Sequence, residues 1–90
     1  MSGKKITISR PFEKAFAKLP KEIQEATYRK LDLLVANPLH PSLRVKKIKG
    51  TDSIWEMSIT MNYRVTFEHR PDELFLRYIG THDILKRTNH

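Results

Sequence analysis

The stretch Ile54-Trp55-Glu56-Met57-Ser58-Ile59-Thr60-Met61-Asn62-Tyr63-Arg64-Val65-Thr66-Phe67-Glu68-His69 changes chemical character at almost every step. Trp55, Met57 and Ile59 alternate with Ile54, Glu56 and Ser58. Tyr63, Val65 and Phe67 alternate with Arg64, Thr66 and Glu68. That is the two-residue period of β-strands with one face in a core. The spacing predicts strands over 54–59 and 63–69, joined by Thr60-Met61-Asn62. Downstream, Arg70-Pro71-Asp72-Glu73 is turn-compatible and 74–79 reads as a further strand. Upstream, 43–49 reads as a strand closed by Lys49-Gly50-Thr51-Asp52. Short links between successive strands make an antiparallel meander.

Ahead of Pro41 the period is helical. Phe12, Ala15, Phe16 and Leu19 follow the i, i+3, i+4, i+7 spacing of one apolar face, with Ser9 and Pro11 at its start. Pro20 ends that helix. A second stripe, Ile23, Ala26, Thr27, Lys30, Leu31, Leu34 and Val35, runs over Lys21–Ala36, interrupted only by the aliphatic stem of Lys30. Asn37-Pro38 stops it. The segment Lys5-Ile6-Thr7-Ile8 alternates as a short strand. The expected architecture is α+β, in the order β-α-α-β-β-β-β. A helical hairpin covers one side of the sheet, and the face bearing Arg64 and Glu56 is left open and concave.

Ninety residues with 39% hydrophobic content fit one domain over 1–90. No apolar run approaches the roughly 20 residues of a membrane helix, and no apolar stretch follows the basic start, so neither a membrane span nor a secretory signal is expected. The chain has no Cys, which excludes disulfides, thiolate zinc sites and a cysteine nucleophile. A cytoplasmic location is the default reading. Seventeen Lys and Arg against ten Asp and Glu give a formal charge of +7, which favours a polyanionic partner.

The cations concentrate in Arg44-Val45-Lys46-Lys47-Ile48-Lys49. As a strand this run sends some charge to each face. Those sharing the face of Arg64 can neutralise phosphates, while a lysine-rich edge that deters sheet aggregation also accounts for the run. Arg64, in an apolar strand, calls for a carboxylate or a phosphate: Glu56 next door, or a ligand. His82, in Gly80-Thr81-His82-Asp83, carries a group able to exchange protons near neutrality, although a lone histidine is often incidental. No histidine–carboxylate spacing suits a metal, no glycine-rich phosphate loop exists, and no cofactor is expected.

The element order, the stretch from Leu43 through Lys49-Gly50 to Ile54-Trp55-Glu56, the pair Tyr63-Arg64 opening a strand, and the ending Ile79-Gly80-Thr81-His82-Asp83 together resemble the RelE/ParE toxin superfamily of toxin–antitoxin pairs. The resemblance spans Lys5 to about Arg87. It implies a ribosome-dependent mRNA endoribonuclease (an mRNA interferase) in which the ribose 2′-oxygen attacks the neighbouring phosphate without a metal. It places Arg64 on the scissile phosphate and His82 in proton transfer, with Glu56, Asp83, Lys86 or Arg87 assisting. Arg44, Lys46, Lys47 and Lys49, with Lys86 and Arg87, would hold RNA and the ribosome. A cognate antitoxin would be the protein partner. The sequence departs from the pattern where lysines of some members become Trp55, Glu56, Met57 and Ser58, and where a C-terminal tyrosine is missing. The alternatives are a ParE-like, non-catalytic inhibitor of DNA gyrase and a weakly catalytic relative that serves as an antitoxin-binding module.

Overall fold

The computed structural model describes residues 5–81 and 83. The elements run β1 (Lys5–Ile8), α1 (Arg10–Ala17), α2 (Lys21–Ala36), a 3₁₀ turn (Pro41–Leu43), β2 (Lys46–Lys47), β3 (Ile54–Ser58), β4 (Tyr63–His69) and β5 (Glu73–Thr81). The expected α+β order is present. Strands β2 to β5 form the antiparallel meander, and β1 joins β5 in parallel, giving a mixed sheet ordered β1-β5-β4-β3-β2.

Local chemistry sets the helix ends. Ser9 Oγ accepts the Phe12 N–H at 3.2 Å and donates to the Arg77 carbonyl at 2.7 Å, so one side chain caps α1 and ties it to β5. Pro11 occupies the first turn, where a missing N–H leaves no bond unmade. Pro20 stands just ahead of α2, as its fixed φ allows. The helices meet where the Phe16 and Tyr28 rings pack edge-to-face at 5.4 Å and Gln24 Nε2 donates to the Phe16 carbonyl.

Phe12 of α1 and Leu31 and Leu34 of α2 pack with Met57, Val65, Phe67, Leu74, Leu76 and Ile79 of the sheet. Each such side chain contributes about 1.5–3 kcal/mol through burial. Trp55 and Tyr63 border this cluster, so the apolar faces of β3 and β4 are the ones the alternation assigns. The opposite face is not bare. Thr66 is only 3% exposed, flanked in register by Glu56 on β3 and Tyr78 on β5. A bulge between Thr66 and Phe67 re-phases β4 against β5 and skips Arg77, which lets both Leu76 and Ile79 reach the core.

The segment 43–49 departs from expectation. Only Lys46–Lys47 pairs with β3. Leu43 closes the 3₁₀ turn and is fully buried, while Arg44 adopts a left-handed conformation with φ 49°. The buried leucine and the turn hydrogen bond from Arg44 N–H to the Pro41 carbonyl pull the chain out of the extended path. Among the described residues, no helix is long and apolar enough to cross a membrane.

Candidate nucleic-acid interface

Arg64 lies on β4 between Ser58 of β3 and Gly80 of β5. Glycine has no side chain, so β5 presents no side chain opposite the guanidinium. Nη1 donates to the carbonyls of Thr60, Met61 and Tyr63 at 2.9, 3.0 and 3.2 Å. Nε faces Glu56 Oε2 at 3.7 Å. Its side chain retains 19% exposure, so it is neither sealed in the core nor free in solvent. The β3–β4 turn holds one edge of the guanidinium and Glu56 another. Among the described residues, Nη2 has no hydrogen-bond partner. A cation fixed in this way meets an incoming anion with little reorganisation.

Glu56 also faces Lys46 Nζ at 3.9 Å, its cross-strand partner on β2. A largely covered carboxylate therefore sits between an exposed lysine and a half-buried arginine. Lys46, Glu56 and Arg64 form a short diagonal across three strands of the open face.

The remaining cations of the basic run scatter. Lys47 is paired in register with Trp55 and so belongs to the other face, while Lys49 is exposed in the β2–β3 link. The structure therefore does not gather the run into one patch. Arg44 is exposed but shares a recess with Arg64 at the turn end of the sheet. Asp83, just beyond β5, is exposed. His82, Lys86 and Arg87 lie outside the described residues. Thr81, the chain neighbour of His82, pairs with Tyr63, one register step from Arg64.

Two participants escaped the reading of the sequence. Gly80 entered only as part of the motif around His82, and its place opposite Arg64 is set by β4–β5 register. Lys30 was assigned only an aliphatic stem in the α2 stripe, yet it lines the recess and its ammonium meets Ser42 Oγ and the Ser42 carbonyl at 3.3 and 3.4 Å. A cation breaking an apolar stripe was the available signal.

A second charged cluster closes the β4–β5 turn at the far end of the sheet. Arg70 binds Glu68 and Glu73 and stacks over Phe75 at 4.4 Å, and Glu73 also accepts from Thr7 on β1. The hydrogen bond from Arg70, then that from Thr7, holds the Glu73 carboxyl below its ordinary range, and the same two carboxylates raise the Arg70 guanidinium. This network fastens β1 to the meander. Among the described residues, no group of three His, Asp or Glu side chains is arranged to hold a metal.

No protein-family model and no curated protein sequence matches the chain. Solved structures do. A chain of the Escherichia coli DinJ–YafQ toxin–antitoxin complex superposes with a TM-score of 0.78 at 16% identity, covering 92% of this chain and 97% of that one. The RelB–RelE antitoxin–toxin complex of Methanococcus jannaschii gives 0.75 at 20% identity, with 93% and 99% covered. The YoeB dimer of Staphylococcus aureus gives 0.77 at 14% identity, with 90% and 99% covered.

Proposed function

We propose that this chain, whose fold is that of the RelE-like toxin superfamily, is the toxin of a type II toxin–antitoxin pair and cleaves messenger RNA on the ribosome. The observation that carries the reading is Arg64. Its guanidinium lies on the sheet face away from the helices, tethered by turn carbonyls at one nitrogen and ion-paired to Glu56 at another. A phosphodiester seated against it would have Lys46 to one side and the side-chain-free Gly80 to the other.

The chemistry such a site serves is transesterification. The ribose 2′-oxygen bonds to phosphorus, the bond from phosphorus to the 5′-oxygen breaks, and a cyclic phosphate and a 5′-hydroxyl result. The 2′-hydroxyl gives up a proton and the leaving oxygen gains one. Glu56, beside Arg64, is the carboxylate suited to accept the first. His82, directly after β5 in the chain, is the imidazole suited to supply the second. Arg64 and Lys46 offset the charge gathering on the phosphate oxygens.

The partner on this reading is a cognate antitoxin. YafQ and RelE, in the structures compared, are held in complexes with DinJ and RelB. No feature of the open face favours gyrase inhibition.

The test is translation of a defined message with primer-extension mapping of new ends. Wild-type protein is expected to produce ends only on ribosome-bound RNA, and Arg64→Ala to abolish them. Absence of cleavage by the wild type, or equal cleavage by Arg64→Ala, overturns the reading.

A further inference from the structure

The turn end of the sheet carries a recess of about 320 Å³ bounded by α2, the 3₁₀ turn and the β3–β4 turn. Its lining includes Lys30, Arg44 and Arg64, from three distant parts of the chain, and the hydroxyl-bearing Ser42, Ser58 and Thr60. No acidic residue lines it. We propose that this recess is a second phosphate-docking subsite for RNA, next to the Arg64 face, in which Lys30 and Arg44 supply the charge. The assignment rests on the RNA-cleaving reading above and extends it to residues that do no chemistry.

Three observations carry it. Three like charges share one concavity with no carboxylate in its lining, Glu56 meeting Arg64 only at Nε, so an entering anion lowers their mutual repulsion. The recess is also continuous with the candidate cleavage site, because Arg64 contributes to both: Nε faces Glu56 on the open sheet, and the residue is part of the recess lining. A polynucleotide that sets one phosphate at Arg64 can therefore leave the sheet face past the turn and deliver a neighbouring phosphate to Lys30 and Arg44.

The third observation is the Arg44 backbone. Left-handed φ is unfavourable for any residue with a Cβ, and glycine would relieve it. This strained position, next to the buried Leu43, is occupied by a long cation that lines the recess. Hydroxyl donors interleaved with cations suit the several acceptor oxygens of a phosphodiester. Ile59 and Met61, the apolar members of the lining, offer no broad seat for an acidic helix.

The test is fluorescence anisotropy with a labelled, short 2′-O-methyl RNA, which cannot be cut, across a salt series. Lys30→Gln and Arg44→Gln are each expected to weaken binding several-fold and to lower the salt slope by about 0.7, the value for one lost contact to a single strand. Lys30→Arg keeps the charge and should restore the slope. Lys21→Gln, at the exposed start of α2, should match the wild type. If Lys30→Gln and Arg44→Gln also match the wild type while RNA still binds, the subsite falls and the cleavage reading stands. If wild-type protein fails to bind the RNA, the subsite falls, and the cleavage reading is decided separately by primer extension on ribosome-bound message. Displacement of RNA by inorganic phosphate at low concentration would reassign the recess to the free anion. Loss of poly-glutamate binding in the same variants, with RNA binding intact, would reassign it to an acidic protein. Either result overturns the proposal.

Discussion

Arg64 Nε and Glu56 Oε2 stand 3.7 Å apart on adjacent strands, offset diagonally by two residues, with Glu56 opposite Thr66 and Arg64 opposite Ser58. The separation is longer than a bidentate fork, and the guanidinium spends its best hydrogen bonds on the turn carbonyls instead. The pair is thus an orienting contact on the open sheet face rather than a buried structural lock.

Glu56→Gln should separate binding from chemistry. Removing the carboxylate leaves Arg64 and Lys46 without their opposing charge, so RNA affinity is expected to hold or rise. Cleavage should fall by about 10²–10⁴-fold, the usual range for a lost proton-transfer group. Single-turnover cleavage and binding of uncuttable RNA, measured on the same preparation, check both halves. A parallel loss of affinity would make Glu56 a structural support only.

Arg64→Lys tests geometry against charge. A lysine cannot reach the Thr60 and Met61 carbonyls and a phosphate together, so cleavage is expected to drop by at least tenfold although the net charge is unchanged. Freed turn carbonyls should cost about 1–2 kcal/mol of stability, read from urea unfolding.

Arg44→Gly should stabilise the fold while it removes a recess cation. Relief of the left-handed strain, less the added freedom of the unfolded chain, is worth about 0.5–1 kcal/mol. In a domain of this size that raises the melting temperature by several degrees, visible by calorimetry. A fall in melting temperature would show that the Arg44 side chain supports the turn.

Glu73 sets an acid limit. Bonded to Arg70 and Thr7, its carboxyl titrates below the ordinary value of 4.5. The unfolded chain binds more protons than the folded one in the window beneath that value, so this contribution is complete above pH 4.5 and is lost as the pH falls through the folded pKa. Urea midpoints measured from pH 6 down to pH 3 should decline less steeply for Glu73→Gln than for wild type. Added salt should shrink the difference, since the cluster is open to water.

Much of this was legible in the residues. Strand β4 occupies the span its alternation marks, and α2 runs from Lys21 to Ala36 because its apolar stripe is bracketed by Pro20 and Asn37-Pro38. The basic run was not, because alternating cations and aliphatics look the same in a strand and in an extended coil. What decides between them is the burial of Leu43 and the turn begun at Pro41, both of them tertiary. The diagonal of Lys46, Glu56 and Arg64 follows from strand parity. The recess does not, because Lys30, Arg44 and Arg64 become neighbours only when α2 and the turns pack. Nor does the parallel pairing of β1 with β5, which no local pattern encodes.

That pairing dictates an order of events during synthesis. Lys5 through Ile8 are made more than sixty residues ahead of the strand beside which they lie. Until Glu73 through Arg77 emerge from the translating machinery, Ile6 lacks its partner Leu74 and Ser9 has no Arg77 carbonyl to bind. Nascent chains are thereby denied a finished sheet, and a message broken before the β5 codons yields only an incomplete product in which Arg64 never gains Gly80 as its neighbour.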